Sequence, residues 1–144
     1  MFKRILVPTD GSELSEKAIA GAIDYAKTAG AAVVAIGVNV MWEPYLYGDT
    51  WMANVPTIME ESKKRMAETL ALVDRAFEAA GIPHETVSVE DEHPWKAILE
   101  TAKQHGCDAI FMASHGRHGL DALVLGSETH KVLTHSTVPV LVFR

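Results

Sequence analysis

A chain of 144 residues is the length of one domain and leaves no room for a catalytic domain with a regulatory one beside it. With 48% hydrophobic residues, a domain of this size buries roughly 68–70% of its unfolded surface and needs no disulfide or metal staple. Thirteen Lys and Arg against nineteen Asp and Glu give a net charge of -6, and the cations are scattered, which argues against a nucleic-acid platform.

The first strand is expected at Ile5-Leu6-Val7, ended by Pro8, and from Ser12 the apolar positions change to helical spacing at Leu14, Ala18, Ala22, Tyr25, Ala26 and Ala29. Asp10 or Ser12 caps this helix, with Glu13 placed as in a capping box, and Gly30 is its C-terminal stop. Residues 32 to 38 are apolar at nearly every position, as in a strand covered on both faces of a parallel sheet. Pro56 opens a long helix whose Met59, Met66, Leu70, Val73 and Phe77 form its apolar face, until Gly81-Ile82-Pro83 breaks it. Ile82, Val87 and Val89 mark a half-polar third strand suited to a sheet edge. A helix from about Pro94 leads to Gly106, a fourth strand covers Ala109-Ile110-Phe111-Met112, and Gly126-Ser127 opens the last helix. The chain closes on Val138 to Phe143, where Pro139 lacks an N–H and so favours an edge strand.

The order β-α-β-α-β-α-β-α-β predicts an α/β fold, an open five-stranded parallel sheet with helices on both faces. The start, with Lys3, Arg4 and Pro8, lacks a signal-peptide core, and no apolar run approaches the roughly 18 residues of a membrane span. A cytoplasmic location is expected. The single cysteine, Cys107, fits a reducing compartment and reads as a small buried apolar residue.

Ligands of such sheets bind beyond the carboxyl ends of the strands. Three segments stand there: Pro8-Thr9-Asp10-Gly11-Ser12, Val38-Asn39, and Ala113-Ser114-His115-Gly116 with the residues leading to Gly126-Ser127. Glycine-rich turns and a helix N-terminus supply aligned N–H donors for phosphates, Asp10 can accept from a ribose, and Val38 can cover a base face. Gly-x-x-x-x-Gly-Lys-Ser/Thr is absent, which excludes a P-loop ATPase, and no dinucleotide fingerprint follows the first strand. Arg117 is the cation nearest the presumed phosphates, or a solvated loop arginine. The seven histidines lack the usual zinc-site spacings. Residues 41 to 52 carry four aromatics, read either as a lid or partner surface or as side chains that pin the loop.

Ala113, Gly116, Gly126 and Ser127 match, with one alanine for glycine, the Gly, two residues, Gly, nine residues, Gly-Ser/Thr motif of the ATP-binding universal stress proteins. The resemblance covers the chain from Lys3 to Phe143. It implies a Rossmann-like sheet of the adenine nucleotide alpha hydrolase type, strand order 3-2-1-4-5, in one domain over residues 1–144. It further implies a cofactor site for ATP and Mg2+ at Pro8, Thr9, Asp10, Val38, Met112, Ala113, His115, Gly116, Arg117, Gly126, Ser127, Glu128 and Thr129. A homodimer through the C-terminal edge strand is implied as well. The function expected is a nucleotide-dependent regulatory module in stress response, with hydrolysis slow at most and no assigned catalytic residue. The alternatives are a hydrolase or transferase using Asp10 or His115 as general base, and a stress protein that binds no nucleotide.

Overall fold

The computed structural model describes residues 1–41, 55–116 and 124–144. Nine elements alternate along them: β1 (Arg4–Pro8), α1 (Glu13–Ala29), β2 (Ala32–Val40), α2 (Val55–Ala80), β3 (His84–Asp91), α3 (Pro94–Gln104), β4 (Ala109–Ala113), α4 (Ser127–His135) and β5 (Val140–Phe143). The five strands form one sheet in the order β3-β2-β1-β4-β5, every pair parallel. The half-polar β3 and the short β5 are its edges, as their sequences require.

Side chains of a strand alternate between the faces of a sheet, and here that alternation divides the core in two. Ile5, Val7, Val33, Ala35, Ala109 and Phe111 pack on Ala18, Ile19, Ala22 and Ala26 of α1 and on Val73 and Phe77 of α2. Leu6, Val34, Ile36, Ile110 and Met112 pack on Ile98 and Ala102 of α3 and Val132 of α4. The small residues on the inner face of α1 let it lie close to the sheet. Gly21 shows how close, since a Cβ there would overlap the Phe143 ring. Fully burying a side chain such as Phe77 contributes roughly 2–3 kcal/mol.

Several local expectations are corrected. Pro8 ends β1 as expected, as its last residue and in register with Ile36, while other expectations here change. The cap of α1 is Ser12, whose hydroxyl accepts from the Ser15 N–H, whereas Asp10 accepts from the Ser12 N–H at 2.9 Å in an Asx turn; the proposed Asp10–Glu13 box is not the cap. Gly30 ends α1 at φ 67°, as expected. Pro139 lies before β5 rather than inside it, and its carbonyl accepts from the Ile110 N–H at 2.9 Å, so the proline extends the ladder where no donor is needed.

The expected apolar face of α2 is also divided. Leu70, Val73 and Phe77 are buried, but Met59 and Met66 are not among the buried residues. At 1.5 Å per residue, this helix of 26 residues is about 39 Å long. It is longer than any strand of the sheet, and a Lys63–Glu90 ion pair of 2.6 Å ties its N-terminal half to β3.

Candidate nucleotide site

A cleft of about 1140 Å3 lies at the carboxyl ends of β1, β2 and β4. Pro8, Thr9, Asp10, Val38, Met112, Ala113, His115, Gly116, Gly126, Ser127, Glu128 and Thr129 all line it. Arg117 and the aromatic segment from Trp42 onward fall outside the described residues.

The floor is held by buried polar groups whose hydrogen bonds stay within the protein. Thr9 donates its N–H to Ile36 at 2.9 Å, its hydroxyl meets that of Ser15 at 3.2 Å, and it accepts from the Gly11 N–H at 3.3 Å. Gly11 makes this turn at φ 76°, a region that favours glycine. On the other side, the Ser114 N–H donates to the last strand at Phe143, the Thr129 hydroxyl donates to the Ala113 carbonyl at 2.9 Å, and the Gly126 N–H donates to Ser114 at 2.7 Å. These bonds fix the end of β4 against the start of α4. His115 sets its Nδ1 3.1 Å from the Ser114 hydroxyl.

Among the helices that begin at this cleft, α3 and α4 have N-termini that differ. At α3 the Trp95 N–H donates to Glu128 Oε2 at 2.9 Å, so a side chain satisfies part of the first turn. At α4 the N-cap is Gly126, which brings no side chain to the N–H groups of Ser127, Glu128 and Thr129. The first N–H groups of a helix have no partner within it, and their dipoles add. Glu128, the acidic residue in that turn, directs its carboxylate to Trp95 and to Lys131 instead. The start of α4 is thus a donor-rich, positively polarised surface suited to an anion.

The glycines work by close approach. A Cβ on Gly126 would lie 3.0 Å from His115 Cα and 3.1 Å from the Ser114 carbonyl oxygen, and one on Gly116 would lie 2.6 Å from Asp10 Oδ2. Gly126 has φ -59°, so sterics rather than backbone angle exclude a side chain there. Ala113 ends β4 as a strand residue, and among the described residues no non-glycine has positive φ. Its methyl group therefore stands where extended backbone accepts it.

Sequence reasoning missed part of the lining. One face of α2, with Met59, Ser62, Met66 and Thr69, borders the same cleft, as does Asn39, which the sequence placed at a strand end without a role. The available signal was the amide of Asn39 inside an otherwise apolar strand. Cys107, by contrast, lies in the α3 core at the opposite end of β4. Burial pushes its thiol up to about 11, against the opposing pull of the Arg4 charge. It is no nucleophile at neutral pH.

The universal stress protein family model matches residues 1–144. Universal stress protein YxiE of Bacillus subtilis is 36% identical over the full length of both chains. Among solved structures, hypothetical protein MJ0577 is 28% identical with a TM-score of 0.76, covering 99% of this chain and 96% of its own. A universal stress protein in complex with cAMP shares the fold at 21% identity and a TM-score of 0.73, covering 99% of this chain and 97% of its own. With a family model over every residue and a full-length relative above 30% identity, this chain belongs to the universal stress protein family.

Proposed function

We propose that the chain, as one domain over residues 1–144, binds ATP with Mg2+ in this cleft and serves as a nucleotide-dependent regulatory module. The observation that carries the reading is the uncapped start of α4, open to a cleft whose opposite wall presents the Asp10 carboxylate. Phosphates would take the N–H groups of Ser127 to Thr129, Asp10 would accept from the ribose, and Val38 and Met112 would cover the base. Pro8, Thr9, Ala113, His115 and Gly116 complete the walls, and Arg117, next in sequence to Gly116, would supply a cation. The donor set fits the group, because the start of α4 offers N–H donors while its one first-turn carboxylate, Glu128, is engaged by the Trp95 N–H and Lys131. Mg2+ takes oxygen ligands, chiefly from the phosphates, and would neutralise their charge. A universal stress protein of the same fold was solved in complex with cAMP, which supports a nucleotide as the ligand.

Hydrolysis needs a held water and a base. Asp10 is engaged with the Ser12 N–H and His115 with the Ser114 hydroxyl, so turnover is slow at most. No described helix is long and apolar enough to cross a membrane, and we place the module in the cytoplasm. We further propose a homodimer through β5, an edge strand whose Leu141 is 48% exposed.

The test is mass spectrometry of small molecules released from the purified protein, followed by thermal shift with MgATP. A rise in Tm that saturates with concentration is expected. Absence of both an adenine compound and a shift makes the nucleotide-free alternative the better account, and steady phosphate release abolished by Asp10→Ala makes the enzyme reading the better one.

A further inference from the structure

Among the described residues, two buried side-chain atoms have no hydrogen-bond partner, Arg4 Nε and Asn39 Oδ1. Arg4 begins β1, at the end of the sheet away from the cleft. Asn39 lines the cleft, is 9% exposed, and is held by its Nδ2 donating to the Ser88 hydroxyl at 3.1 Å. The other buried polar residues of the cleft, Thr9, Ser15 and Thr129, all have partners. An unpaired buried carbonyl costs stability and is retained for a reason.

Strand alternation says where this amide lies. A Cβ on Gly37 would meet Met66 of α2, so Gly37 faces α2, and Asn39, two residues on, shares that face. Its register partner Glu90 bonds Lys63 of α2 on the same side. Val38 faces the other way, towards the α3 core. The cleft therefore wraps around the end of β2, and its α2 side combines the thioethers of Met59 and Met66 with one unused acceptor. Polarisable sulfur is a good surface for an aromatic ring. A planar base with one exocyclic N–H donor fits this combination, and a base with a carbonyl at that position would set two acceptors against each other.

We propose that Asn39 is the residue that selects the base: its free carbonyl accepts from the exocyclic amino group of a 6-aminopurine seated at the end of β2, with Val38 on one side and the methionine face of α2 on the other. The inference rests on the nucleotide reading and adds to it a specificity-determining side chain. Ser88 is a positioning residue, since its hydroxyl fixes the rotation of the amide.

The experiment is calorimetric titration of the wild type and Asn39→Leu with MgATP and with MgITP, which differ at the base by amino against oxo at C6 and by the proton that the oxo form carries on N1. The wild type should bind ATP about ten-fold or more tightly than ITP, the size of one buried hydrogen bond with its mismatch. Asn39→Leu should bring the two within about three-fold, chiefly through weaker ATP binding. Its Tm without nucleotide should equal or exceed that of the wild type, because an unpaired polar group is gone, and this also shows that it folds. Ser88→Ala should narrow the discrimination in part. Discrimination unchanged in a folded Asn39→Leu overturns the role of Asn39 and leaves the nucleotide site standing, as does a wild type that binds ATP and ITP alike. Binding of neither nucleotide by the wild type overturns both.

Discussion

Replacing Gly126 by alanine tests the closest packing at the site. The backbone there, φ -59° and ψ 148°, is open to any residue, so the substitution brings no conformational strain. The new methyl would stand 3.0 Å from His115 Cα, 3.1 Å from His115 Cβ and 3.1 Å from the Ser114 carbonyl oxygen. Ordinary van der Waals contact needs several tenths of an ångström more, and two of those atoms are backbone. Nor can the backbone retreat freely, because the Ser114 N–H is bonded to Phe143 at 2.8 Å and the Gly126 N–H to Ser114 at 2.7 Å. Overpacking of this kind costs about 1–3 kcal/mol, and alanine is a poorer N-cap than glycine by about 0.5–1 kcal/mol. A loss near 2 kcal/mol lowers Tm by roughly 4–8 °C in a domain of this size. The same displacement moves the α4 N–H groups relative to Asp10, so MgATP affinity should fall ten-fold or more. Scanning calorimetry gives the first quantity and isothermal titration the second. A variant that melts within about 1 °C of the wild type and binds MgATP equally would show that the start of α4 is neither tightly packed against 114–115 nor the phosphate site.

Ala113→Gly should change the MgATP dissociation constant less than about three-fold, since strand geometry already accepts the methyl, whereas Ala113→Val should remove binding; titration of both variants decides, and strong binding gained only by the glycine variant would mark alanine as disabling. Leu141→Lys places a charge on the exposed apolar edge, and sedimentation velocity should show a dimer becoming a folded monomer; a wild type already monomeric at micromolar concentration removes the dimer proposal. Because the folded thiol of Cys107 sits near 11 rather than 9.0, its contribution to stability is intact below pH 9 and is lost as pH rises towards 11. At pH 8 iodoacetamide should label the native protein roughly 100-fold more slowly than the denatured chain, and equal rates would contradict the burial.

Periodicity and breakers in the sequence determined the elements, because a strand buried on both faces, such as 32 to 38, has no alternative to a central parallel position. Half-polar β3 and short β5 likewise announced themselves as edges, and the Gly116 to Ser127 spacing pointed to the end of the cleft where phosphates are proposed to bind. Residues far apart in sequence had to meet before the rest was decided. The methionines at 59 and 66 obey the same helical spacing as Leu70 and Phe77, and only the packing of α2 against the sheet assigns the first pair to the cleft and the second to the core. Glu128 reads as a first-turn acid on α4, yet its partner is the Trp95 N–H of another helix. No sequence pattern distinguishes a satisfied amide from an unsatisfied one, so Asn39 emerged only when β2, β3 and α2 had been brought together around it. Local spacing fixes which face of an element is apolar; how far each element extends beyond its neighbours, and hence which polar atoms are left to a ligand, is settled by packing.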